Sequence, residues 1–100
     1  NVNVYKKNRE ILLEELPKAG FTTFSPPDGA FYIYVDISKF SNDSLSFCKK
    51  VLDEAGVAIT PGLDFDQNRG SNTIRFSYAR STEDIIEGAK RIKKFMSSYN

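Results

Sequence analysis

The sequence predicts a small α/β (α+β) domain with the element order α-β-α-β-β-α, its sheet covered by helices. Three observations predict it. Apolar residues recur at helical spacing in three separate segments, runs rich in aromatic and β-branched residues stand between them, and turns bearing proline or glycine separate the two kinds of segment. At 100 residues the chain is expected to form a single domain over 1–100, with one core and little margin of stability.

In the first segment Val4, Tyr5, Ile11, Leu12 and Leu16 share one helical face, with Lys6, Lys7, Glu10 and Glu14 on the other. Pro17 disfavours helical geometry at Leu16 and Gly20 follows closely, so a helix over 4–16 stops there. Phe21 to Phe24 reads as a short extended piece. Pro26-Pro27 with Asp28-Gly29 reads as a turn, since proline fixes φ and glycine permits positive φ. The strand that leaves it, Ala30 to Ile37, is apolar on both faces for most of its length, which predicts a central place in the sheet. Ser41 to Asp43 supplies cap residues for a second helix whose buried stripe is read as Leu45, Cys48, Val51, Leu52 and Ala55, with Gly56 just past its end. Val57 to Thr60 is a short strand ended by Pro61-Gly62, 64–72 is a polar loop, and TIRFSYA is a strand from Thr73. Ser81 caps the last helix, Glu83 and Asp84 stand in its first turn, and Ile85, Ala89, Ile92 and Met96 form its buried stripe.

Composition removes several classes of function. The net charge is +1 and the basic residues are spread along the chain, so no nucleic-acid partner is expected. No apolar run approaches the roughly 20 residues that a spanning helix requires, so no membrane partner is expected. There is no histidine, and the single cysteine, Cys48, has no partner for an internal disulfide. The usual zinc ligands and the Ser-His-Asp triad are therefore missing, and no metal is expected. Position 1 is asparagine and the one methionine is Met96, so the chain is expected to be a piece of something longer. Its start does not resemble a signal peptide, and a cytoplasmic location is expected.

Among polar residues Arg75 stands out. Alternation along TIRFSYA puts Ile74, Phe76 and Tyr78 on one face and Arg75, Ser77 and Ala79 on the other. A guanidinium among short side chains on a rigid strand is suited to grip a carboxylate through two parallel hydrogen bonds, which lysine cannot do. The competing reading is a solvent-facing arginine in a weak cross-strand ion pair. Ser46 and Lys49 match S-x-x-K without any companion motif, and Asn42-Asp43-Ser44 spells a glycosylation acceptor that only a secreted protein would use. Phe31, Tyr32 and Tyr34 suit stacking on a flat ligand, but such residues in a strand more often belong to a core.

Taken together, PPDGAFYIYVDI at 26–37, GVAITPGLDF at 56–65 and NTIRFSYARSTEDIIEGAKRI at 72–92 resemble the C-terminal small domain of fold type I aminotransferases, the aspartate-aminotransferase-like class I/II enzymes that depend on pyridoxal 5'-phosphate (PLP). The resemblance covers essentially the whole chain. It implies that Arg75 binds the α-carboxylate of an amino acid or 2-oxo acid substrate, and that Phe31 lies near that substrate. It places the PLP-bearing lysine, the acidic partner of the cofactor ring and the phosphate cup on a large domain absent from this chain, so none of the nine lysines is expected to hold PLP and the fragment alone is expected to be inactive. The resemblance also implies a homodimer in the full-length form, and closure of the small domain on substrate. It departs from the family's P-G-x-x-F-G pattern at Asp66, which replaces the second glycine. Two rival readings use the same residues. One is a stand-alone, non-catalytic regulatory domain in which Arg75 holds an amino acid or other carboxylate, and the other is a structural domain in which Arg75 pairs with Asp64 or Asp66.

Overall fold

Helix-favouring and strand-favouring segments alternate along the chain as their apolar periodicities dictate. The computed structural model describes residues 2–22, 24, 31–62 and 70–99. Helices α1 (Val2–Glu15), α2 (Ser44–Ala55) and α3 (Thr82–Ser97) and strands β1 (Tyr32–Asp36), β2 (Thr60–Pro61) and β3 (Thr73–Ser77) follow in the order α-β-α-β-β-α. Short 3-10 turns cover Pro17–Ala19 and Gly70–Asn72. The expected turn at Pro26-Pro27 and Asp28-Gly29, and the stretch 63–69 with Asp64, Asp66 and Arg69, lie outside the described residues.

Helix ends follow local chemistry. Pro17 opens the 3-10 turn after α1, and Gly20 closes it in the left-handed region at φ 103°, where a side chain would be strained. The Asp43 carboxylate accepts from the Ser46 N–H at 3.1 Å, and Gly56, at φ 70°, ends α2 by donating its N–H to the Leu52 carbonyl. Ser81 Oγ accepts from the Asp84 N–H at 3.2 Å and starts α3.

β3 is the middle strand, antiparallel to β1 on one side and to β2 on the other. This corrects the expectation that the 30–37 strand is central. Besides β3, β1 meets only an isolated bridge from Phe24 to Val35 among the described residues. Its apolar look on both faces comes from tyrosine: Ile33 and Val35 are buried, whereas Tyr32 and Tyr34 are half-buried rings with polar tips. The strand expected over 57–60 pairs only at Thr60 and Pro61.

The helices pack on the face carrying Ile33, Val35, Ile74 and Phe76, and these join Leu12, Leu16, Phe21, Phe47, Val51, Ile85 and Ile92 in one core. α2 is rotated from its expected phase. Leu45 and Leu52 stay 60% and 52% exposed, while Ser44, Phe47, Cys48 and Val51 face inward. Phe47 sets that phase by inserting edge-on among Phe21, Phe95 and Tyr99 at 5.5–6.5 Å between ring centroids.

One buried residue of α1 was not anticipated. Asn8 is fully buried, and its Nδ2 donates to the carbonyls of Tyr78 at 3.1 Å and Arg80 at 2.6 Å while its Oδ1 accepts from Thr82 Oγ1 at 2.8 Å. A side-chain amide thereby takes over backbone acceptors where β3 turns into α3. Glu15 adds an ionic tie, accepting from Lys93 of α3 and from Lys18 at 2.9 Å.

Candidate functional site

Residues directly opposite in an antiparallel pair share a face, so the register defines what surrounds each side chain. Tyr32 stands opposite Ser77, Tyr34 opposite Arg75, and Thr60 flanks Arg75 from the other side. These five residues form the face of the sheet turned away from the helices, and all are half-buried. Arg75 therefore sits in the middle of the middle strand, with its backbone held from both sides.

The side chain is held as well. The Arg75 guanidinium carbon lies over the Tyr32 ring, 4.1 Å from its centroid. Tyr32 is the diagonal neighbour of Arg75 across the β1–β3 pair, and Ser77, small and opposite Tyr32, leaves the ring open to it. Within β3 the flanking side chains are short, as the sequence indicates, but the cross-strand neighbours are aromatic. Only the period-two spacing of Tyr32 and Tyr34 hinted at a shared face, and the register that brings them to Arg75 is not written in either strand. Asp36 lies on this face too, and its Oδ1 accepts from the Ser38 N–H at 2.8 Å and Ser38 Oγ at 2.6 Å, which commits that oxygen to the turn after β1.

Phe31 is not brought to Arg75's face. Its carbonyl accepts from the Tyr78 N–H at 3.0 Å, and its ring packs edge-on against Tyr5 of α1 at 5.3 Å and Tyr78 at 5.9 Å. It belongs to the helix side of the sheet, at the end of β1, and remains 43% exposed. A cavity of about 280 Å³ also lies on the helix side, lined by Leu12, Leu16, Val57 and Phe76 with Arg80 and Arg91 at its margin. Arg75 does not line it.

The other motifs resolve into structure. Ser46 and Lys49 are both exposed on α2. In Asn42-Asp43-Ser44 the aspartate caps α2, and Ser44 is buried and donates to the Gly70 carbonyl. The proposed pairing of Arg75 with Asp64 or Asp66 falls outside the described residues. All nine lysines are described, and they stand on the three helices or on the turns at Lys18 and Lys39, none on the sheet face of Arg75. Lys50 lies over the Tyr99 ring at 5.2 Å, and Lys18 and Lys93 are tied to Glu15. None of the described helices is long and apolar enough to cross a membrane.

Among the described residues, the central strand thus carries Arg75 onto a half-buried sheet face beside Tyr32 and Tyr34, with the helices on the other side. Residues 1–92 match the family model for aminotransferase class I and II. The chain belongs to that family. It is 46% identical over 98 residues to valine–pyruvate aminotransferase of Mycobacterium tuberculosis, covering 98% of this chain and 25% of that protein. It is 36% identical to an aspartate aminotransferase of Sulfurisphaera tokodaii over 95% of this chain and 25% of that protein. Among solved structures, an aminotransferase from M. tuberculosis superposes with a TM-score of 0.93 at 46% identity, covering 98% of this chain and 25% of that one. A crystal structure from Silicibacter pomeroyi superposes with a TM-score of 0.94 at 58% identity, covering 98% and 26%. The chain thus spans about a quarter of the length of the aminotransferases it matches. Both the class I/II resemblance and the α/β fold read from the sequence agree with these matches.

Proposed function

We propose that this chain is the C-terminal small domain of a PLP-dependent aminotransferase that moves an amino group between an amino acid and a 2-oxo acid, with Arg75 binding the substrate's α-carboxylate. The observation that carries the reading is the placement of Arg75: centred on the middle strand, held on the face away from the core, with its guanidinium over an aromatic ring. The nearby aminotransferases, including one named for valine and pyruvate, support the amino acid and 2-oxo acid class.

Arg75 acts by binding and orientation. Two parallel N–H donors fix a carboxylate in plane as well as in place, so the bonds at the adjacent carbon point in a set direction. That favours the one bond that must break, without any proton transfer by the arginine itself. Phe31 offers its exposed ring at the end of β1, from the opposite side of the sheet, and contributes apolar surface there rather than a partner to Arg75.

The family implies PLP in the full-length enzyme, where it supplies the electron sink for amino-group transfer. The residues of this chain do not fit that cofactor. Its lysines lie on helices and turns away from the Arg75 face, where none would share a site with a substrate held by Arg75. PLP is accordingly assigned to the large domain of the same full-length protein, with domain 1–100 supplying the carboxylate clamp in a homodimeric, cytoplasmic enzyme. The test is kinetic. In the full-length enzyme, Arg75→Ala is expected to raise KM for both substrates by about 10- to 100-fold, the loss of one charge-assisted pair. Unchanged KM for both would overturn the reading. The purified 100-residue chain, mixed with PLP, is expected to leave the cofactor's absorbance spectrum as it is in buffer.

A further inference from the structure

We draw no further inference here: the strongest candidate, the cavity of about 280 Å³ on the helix side between Val57 and Ala58 beside β2 and Arg80 and Arg91 at its margin, carries nothing because, in a chain that spans about a quarter of the length of its relatives, nothing in the structure shows what covers it.

Discussion

The two faces of the sheet are built to different rules. On the helix side Ile33, Val35, Ile74 and Phe76 are closed over by three helices, and at most 6% of any of them remains exposed. On the open side Tyr32, Tyr34, Thr60, Arg75 and Ser77 stay half-buried and carry hydroxyls, rings and a charge. β3 serves both faces through simple alternation, so adjacent residues such as Ile74 and Arg75 answer to different constraints. Burial without polar atoms makes the first face a determinant of stability. Half-burial with polar groups makes the second face the one on which the proposed carboxylate site depends.

That contrast can be broken by comparing substitutions one residue apart or one layer apart. The largest effect is expected at Ile74, which is fully buried: Ile74→Ala leaves a cavity and should lower unfolding free energy by about 2–5 kcal/mol in urea titration. Asn8→Ala comes next, at about 1–3 kcal/mol, because it strips the buried carbonyl of Tyr78 and the part-buried carbonyl of Arg80 of a donor where β3 meets α3. Arg75→Ala should cost about 1 kcal/mol in the same titration, since it opens no cavity in the core and the contact it removes with Tyr32 lies on a half-buried face. If Arg75→Ala destabilised the fold as much as Ile74→Ala, the division between the faces would fail.

The smallest effect is a pH dependence at the rim of the helix layer. The hydrogen bonds from Lys93 and then Lys18 hold the Glu15 carboxyl below its ordinary value of 4.5. A group with a lowered folded pKa adds stability that is present above the ordinary value and is lost as pH falls through the lowered one. Glu15→Gln should therefore lie slightly below the parent in thermal stability at neutral pH and converge with it in acid. A gap that persists below the titration range would assign the effect to packing instead of charge. Because these side chains reach solvent, the neutral-pH gap should shrink with added salt.

Much of this architecture could be read along the chain. Pro17 and Gly20 mark the end of α1, Asp43 and Gly56 bracket α2, and Ser81 starts α3, because caps act within a few residues. The face of Arg75 was equally legible, since the alternation of Ile74, Phe76 and Tyr78 against it is a local pattern. Asn8 was not, as its partners at Tyr78, Arg80 and Thr82 are distant in the chain. Nor was the phase of α2. Leucine at 45 and 52 and phenylalanine at 47 define competing apolar stripes, and the aromatic cluster around Phe47 decides between them.

Element order, helix ends and the face on which Arg75 lies followed from local chemistry, which acts over one turn of helix or two residues of strand. The resemblance of three short segments in order then pointed to the aminotransferase family, and the family-model match over residues 1–92 bore it out. Tertiary structure alone decided that β3 lies between β1 and β2, that Phe31 turns toward the helices, and that the Tyr32 ring lies beneath the guanidinium. Strand order and register depend on which distant segments bury their apolar faces together, and no single segment carries that information.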